Sequence, residues 1–260
     1  MSIVDVRSKD MVRYVELNYP DKKNGFDLRM SQELLDAVHQ VNADPHCKII
    51  VFSSTARAYF SSGPNPSDLV EIANQKNGLN LLDEIVSNLN EIISEIYHST
   101  KITIASIHGY AYGGGLNIML PCDYRIAVER TKLIENFHYM GMTPDLSASY
   151  FLPRLIGYSK TMELILTGRM FSAKEAWEWG LFQEVTKTKK EMKERVEQLC
   201  EQILSGDMET VARMKQLLKH SNLSTFNEQI NFEKTALMDC FQNPRVQEYL
   251  SQVTKKSLVT

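Results

Sequence analysis

Three consecutive glycines, Gly113-Gly114-Gly115, stand between a strand-like apolar run, Ile102 to Ile107, and an apolar helix-like run that starts at Leu116. Strand, glycine turn, helix is an order that leaves room for few folds. Glycine permits close approach of the backbone and unusual dihedral angles. The start of a helix offers free backbone N–H groups and a partial positive charge, which together can hold an anion. The spacing is not G-x-G-x-x-G, and no Lys-Ser or Lys-Thr pair follows, so neither a dinucleotide fingerprint nor a P-loop fits. Two readings of the glycines remain open. They can present N–H groups to a developing oxyanion, one such donor being worth about 2.7–4 kcal/mol of barrier. Alternatively, they let a helix pack tightly on a strand.

Around this turn the chain alternates. Ile3 to Val6 and Val12 to Leu17 read as strands with a turn at Ser8-Lys9-Asp10. A helix carrying Met30, Leu34, Leu35 and Val38 on one face precedes a buried strand at Ile49 to Phe52. Ser61 to Asp68 is rich in breakers. Leu79, Leu82, Ile85, Val86, Leu89, Ile92, Ile93 and Ile96 then mark one long helix whose stripe belongs to the core. Tyr124 to Val128 is strand-like, the chain is mostly helical from Ala148, and helices alone fill Lys187 to Gln247. The pattern predicts an α/β layered fold, with a core over residues 1–190 and a helical subdomain over 191–260.

Composition narrows the function. The 260 residues suffice for a core without disulfides, and the net charge of −3 comes with no basic block, which excludes nucleic-acid binding through a charged face. Cys47, Cys122, Cys200 and Cys240 are far apart and read as buried thiols, and no His or Cys spacing suggests a metal. The first ten residues form no signal core, and the longest apolar runs fall well short of the roughly 20 residues of a membrane span. The terminal Ser257-Leu258-Val259-Thr260 is not a peroxisomal address. A cytoplasmic setting is expected.

Four segments resemble, in order, those of the crotonase (enoyl-CoA hydratase/isomerase) superfamily. Tyr19-Pro20-Asp21-Lys22-Lys23-Asn24-Gly25-Phe26 is similar to its P-x-x-x-N-A-[LF]. Tyr59-Phe60-Ser61-Ser62-Gly63 is similar to A-F-[CS]-[AS]-G, and Ile107 to Gly115 to [VI]-x-G-x-[AC]-x-G-G-G. Phe171 to Leu181 is similar to [FI]-[ST]-A-x-E-A-x-x-x-G-L. The resemblance implies a spiral of ββα units with a C-terminal helical subdomain that builds a homotrimer or hexamer. It implies a coenzyme A thioester as substrate, or an acyl chain tethered to a carrier protein, with no separate cofactor, metal or membrane partner.

It also implies site residues. The oxyanion of the family is held by the middle glycine, here Gly114, and by the N–H that follows A-F-x-x-G. Here that position is Pro64, which has no N–H. The loop is longer than usual, so Asn65 is the expected replacement donor, with Gly63 as the alternative. Gly113 completes the turn. Family hydratases carry two glutamates; the matching positions are Asn117 and Phe137. Standard two-carboxylate hydration is therefore not expected. Asp145 stands where the isomerases of the family have a catalytic glutamate and its aryl-CoA dehalogenases a nucleophilic aspartate. Its ordinary alternative is a helix N-cap. An apolar wall of Phe137, Met140 and Met142 would raise the pKa of such a carboxyl. His138 either faces the pocket or is structural. Lys22, Lys23 and Arg57 lie near segments that bind CoA phosphates in the family, or are surface charges. Glu135 matches no catalytic position and reads as surface, and Tyr112 as packing.

The expected reaction is isomerase-type proton transfer through a thioester enolate, with Asp145 as the single acid and base. The alternatives are decarboxylation of a carrier-tethered chain in polyketide β-branching, hydrolysis or dehalogenation of an acyl-CoA, and a non-catalytic CoA-binding scaffold. The β-branching enzymes have a similarly long loop and a similar N-F-x-x-x-G-x-T-P stretch, and typically lack the acid at position 145.

Overall fold

The computed structural model describes residues 2–257, so the C-terminal tripeptide judged above for peroxisomal targeting lies outside the described residues. Strand β1 (Val4–Lys9) pairs antiparallel with β2 (Val12–Leu17), Val4 opposite Leu17 and Lys9 opposite Val12. The turn falls at Asp10-Met11 rather than Ser8-Lys9-Asp10. Asp10 takes φ 50°, a left-handed conformation that a short polar side chain tolerates. Helix α1 (Leu28–Ala43) is capped by Asp27, whose carboxylate accepts from Met30 N at 2.8 Å.

Strand β3 (Ile49–Ser54) runs parallel to β2. The breaker-rich stretch after it starts helix α2 (Pro66–Ala73), with Pro66 in the first turn, where its missing N–H costs nothing. Helix α3 (Gly78–His98) buries Ile85, Leu89, Ile92 and Ile96 as its spacing predicts, whereas Leu79 in its first turn is 83% exposed.

Strand β4 (Ile102–Ile107) is buried at every residue. Strand β5 (Tyr110–Tyr112), helix α4 (Gly114–Asn117), strand β6 (Tyr124–Val128) and strand β7 (Lys132–Ile134) follow. Next come α5 (Ala148–Ile156), α6 (Tyr158–Thr167), β8 (Phe171–Ser172), α7 (Ala173–Glu178) and β9 (Glu184–Thr186).

Six strands form one sheet in the order β1-β2-β3-β4-β6-β9, parallel throughout except for β1. Central strands of such a sheet are covered on both faces, which is why β3 and β4 read as unbroken apolar runs. A second sheet, β5-β7-β8, carries the glycine turn at the end of β5.

The chain divides into two compact units between Gln202 and Ile203, one helix later than the expected boundary at 190/191. Helix α8 (Lys189–Leu204) buries Met192, Val196, Leu199 and Cys200. Its first residue is tied to the end of β3, Lys189 Nζ donating to Ser54 O (3.2 Å) and Ala56 O (2.9 Å). The same Nζ lies 2.9 Å from Nε2 of the buried His108. The second unit contains α9 (Met208–His220), α10 (Phe226–Phe241) and α11 (Pro244–Ser257). A capping box between Thr225 and Glu228 starts α10. Leu218, Leu223, Phe226, Leu237 and Phe241 are exposed there.

Cys47, Cys122 and Cys200 are buried free thiols, and Cys240 is partly exposed. Among the described residues no helix is long and apolar enough to cross a membrane, and no three His, Cys, Asp or Glu side chains gather as metal ligands.

Candidate active site

The three glycines have different jobs. Gly113 adopts φ 45° and ψ −117°, a conformation L side chains rarely take. Its N–H donates to Ile134 O of β7, and its carbonyl accepts from Leu116 N and Asn117 N, all at 2.9 Å. Thus it closes β5 and opens α4. A Cβ on Gly115 would fall 2.5 Å from Ser61 O, so this glycine lets the Ser61–Gly63 loop lie flat against the turn. Gly113 and Gly114 instead line a cavity of about 210 Å³. Both readings of the run are realised, at different residues. As a first-turn residue of α4, Gly114 has no helical carbonyl one turn behind it to occupy its N–H.

Pro64, Phe137, Met142 and Asp145 line the same cavity. On the loop side the lining includes Pro64 and Pro66, which carry no N–H, and Ser62 and Leu69, whose N–H groups donate to Lys23 O (3.1 Å) and Asn65 O (3.0 Å). Asn65, between the two prolines, is not brought into the cavity. Its Nδ2 donates to Lys22 O (2.8 Å) and its Oδ1 accepts from Ser62 Oγ (2.9 Å), which pins the loop from behind. The alternative donor, Gly63 N–H, is buried and spent on Ser61 Oγ at 3.1 Å. Lys22 sits on that outer side as well, 2.6 Å from Asp68 Oδ1. Arg57 and His138 are exposed and do not line the cavity; the His138 ring lies on Tyr139, centroids 4.0 Å apart. Tyr112 is half-buried at the cavity edge.

Asp145 is not the cap of α5. The N-cap is Ser147, at φ 74°, preceded by Leu146 at φ 48°. Two successive non-glycine residues in the left-handed region cost energy. Here they turn the Asp145 carboxyl into the cavity before the helix begins. Asp145 O accepts from Ala148 N (3.1 Å) and from Asn117 Nδ2 (3.3 Å), while Oδ1 is buried without a hydrogen-bond partner. Burial pushes this carboxyl up to about 6, against the opposing pull of its own backbone N–H. That range suits a group that takes and returns a proton near neutrality.

Glu135 corrects the sequence reading. It is fully buried, with 0% exposure, not a surface residue. Side chains of an extended segment point to one side at every second residue. Leu133, in β7, and Glu135, two residues on, are both buried, and that spacing was the signal that could have placed Glu135 inside. Its Oε2 accepts from Asn117 Nδ2 at 3.4 Å. Burial first, and the charge of Asp145 in addition, raise its pKa to about 8 against the lowering effect of the Asn117 amide. Asn117 is itself buried behind the cavity and does not line it. Its place is the bridge between the two carboxyl-bearing residues.

Comparison with known proteins matches this geometry. A family model described as enoyl-CoA hydratase/isomerase covers residues 7–257. The crystal structure of an enoyl-CoA hydratase from Bacillus halodurans superposes with TM-score 0.81 at 41% identity, covering 96% of this chain and 100% of that one. The 4-chlorobenzoyl coenzyme A dehalogenase-2 of Arthrobacter sp is 26% identical over 98% of this chain and 91% of its own length. The trans-2-decenoyl-[acyl-carrier-protein] isomerase of Streptococcus mutans is 25% identical over 85% of this chain and 83% of its own. A glycine turn opening on a cavity, an acid facing it, and a match along nearly the whole chain lead to one conclusion: the protein belongs to the enoyl-CoA hydratase/isomerase family.

Proposed function

We propose that the protein moves a double bond within an acyl thioester, with Asp145 as the single proton carrier. The observation that supports this most is the Asp145 carboxyl in an apolar cavity that Gly114 also lines. Asp145 takes a proton from the α carbon of a 3-enoyl thioester. Electrons move onto the carbonyl oxygen, which the Gly114 N–H stabilises as an oxyanion. The proton then returns from Asp145 to the γ carbon, leaving the 2-enoyl product, and no water is consumed. The apolar wall of Phe137, Met140 and Met142 excludes solvent from the dienolate. At about 210 Å³ the cavity is smaller than the roughly 300–1,000 Å³ of pockets that take a whole drug-sized ligand, so it suits the thioester and a short acyl chain.

The relatives act on thioesters of coenzyme A and of acyl carrier protein, by their names, and both carriers are candidates here. The carrier-tethered decarboxylase reading is weaker, because an acid at position 145 faces the cavity. The test is conversion of 3-hexenoyl-CoA, and of the same chain on a carrier protein, by wild type and Asp145→Asn. The expected outcome is conversion that falls by at least two orders of magnitude in the variant. Folded wild type that converts neither substrate, or a variant as fast as wild type, overturns the reading.

A further inference from the structure

Behind the cavity, three buried oxygens lack hydrogen-bond partners: Glu135 Oε1, Asn117 Oδ1 and Asp145 Oδ1. The donors nearby are already committed. The Asn117 amide has two hydrogens, and Nδ2 reaches one acceptor on each side, Glu135 Oε2 and Asp145 O. An ionised Glu135 would have acceptors only, facing further acceptors and a second carboxylate. A protonated Glu135 supplies the one missing donor.

We propose that Glu135 is a positioning residue of this site, coupled through Asn117 to Asp145, and that the two carboxyls hold one proton between them at the start of the reaction. This rests on the reading of Asp145 as the base. Glu135 does not line the cavity and does not touch the reacting atoms. Its part is to keep its own proton throughout. The site then carries a single negative charge at every stage, first on Asp145 and then, once Asp145 has taken the α proton, on the thioester oxygen at Gly114. Asp145 returns that proton to the γ carbon and the charge returns with it. An ionised Glu135 would add a second buried charge, beside Asp145 at the start and beside the enolate later.

Among the described residues, Asp145 is the only charged group acting on Glu135. Of the neighbours in its own segment, Lys132 and His138 are exposed, and the element packed behind it contributes the uncharged Asn117. Coupled carboxyls titrate as a pair. The lower limb of the pH profile belongs near 6 and the upper limb near 8.

The experiment is the pH dependence of kcat for 3-hexenoyl-CoA in wild type, Glu135→Gln and Glu135→Ala. Gln keeps the shape of the protonated acid but cannot ionise. The expected result is Glu135→Gln within about threefold of wild type at pH 7, with the upper limb gone. Glu135→Ala should be at least tenfold slower than Glu135→Gln. An upper limb unchanged in Glu135→Gln overturns the proposal, as does a wild-type profile that stays flat from pH 7 to 9. Infrared spectroscopy reads the proton without turnover, so it separates this proposal from the reaction assigned to Asp145. Wild type at pH 7 should show the carbonyl stretch of one buried protonated carboxyl. That stretch should persist in Asp145→Asn and titrate at lower pH there, because the neighbouring charge is gone. Its absence at pH 7 from both proteins overturns the proposal, even if the glutamine variant does not fold.

Discussion

A Cβ placed on Gly114 would come 2.8 Å from Leu146 Cδ1. Leu146 is the residue after Asp145, buried and held at φ 48°. Gly114, which lines the cavity, therefore also lies against the turn that follows Asp145. Gly114→Ala is expected to disturb both at once, pushing Leu146 aside and narrowing the cavity from two sides. Alanine keeps the N–H but would shift it, and complete loss of an oxyanion donor costs about 10²–10³ in kcat. Turnover of 3-hexenoyl-CoA by Gly114→Ala should fall about tenfold or more, while unfolding remains cooperative. A variant with near wild-type kcat would show that neither the cavity nor the turn at Leu146 needs a bare backbone at this position.

The buried acid also carries a signature in stability. A carboxyl whose pKa is raised on folding contributes fully to stability below its unfolded value and loses that contribution as pH rises through the folded one. For Glu135 the window runs from about 4.5 to about 8. Each pKa unit corresponds to about 1.4 kcal/mol, so wild type should lose a few kcal/mol across it relative to Glu135→Gln. Urea denaturation at pH 5 and pH 9 measures the difference. Equal losses in the two proteins would mean that Glu135 ionises freely in the folded state.

His108 predicts the opposite slope. Burial pushes its imidazole down to about 4 from 6.5, with the charges of Lys189 and Lys193 acting in the same direction. A depressed histidine leaves stability complete above about pH 6.5, and stability is lost as pH falls towards 4, because the unfolded chain binds the extra proton. The loss should reach up to ~3 kcal/mol. His108→Gln should flatten this acid limb in thermal melts between pH 4.5 and 7, and an unchanged limb would assign it to other groups.

The second unit predicts association. Leu218 on α9, Leu223 in the turn after it, and Phe226, Leu237 and Phe241 on α10 are large, apolar and exposed. Large apolar side chains left exposed in such number mark an interaction face. The protein is expected to sediment as a trimer or a multiple of it, and Phe226→Asp with Leu223→Asp should shift it towards monomer. A monomeric wild type at micromolar concentration would remove this expectation.

Much of this was legible because single residues left little choice. The unbroken apolar run of β4 could only be a covered strand, and the glycines do open a helix, though a short strand the spacing did not mark, β5, comes between. Asp145 was singled out from its neighbours and does face the cavity. What the sequence did not disclose depended on where the backbone turns. The backbone N–H of Asn65 was a plausible donor by position, but the prolines beside it line the cavity and Asn65 does not; its side chain fastens the loop. Glu135 looked like surface because charge usually is. Only its place just past β7, two residues after the buried Leu133, shows that it must point inwards. The boundary between units shifted because α8 opens with charged residues, yet buries a stripe from Met192 to Cys200.

Pro64 and Pro66 have one more consequence. Proline has little backbone freedom to lose, and here two of them flank the residue whose side chain fastens the loop from behind. One wall of the cavity is therefore ordered before any thioester arrives, and binding need not spend free energy on shaping it. An acyl chain that does not fit meets a stiff wall and is turned away by shape, without waiting for the chemistry to discriminate.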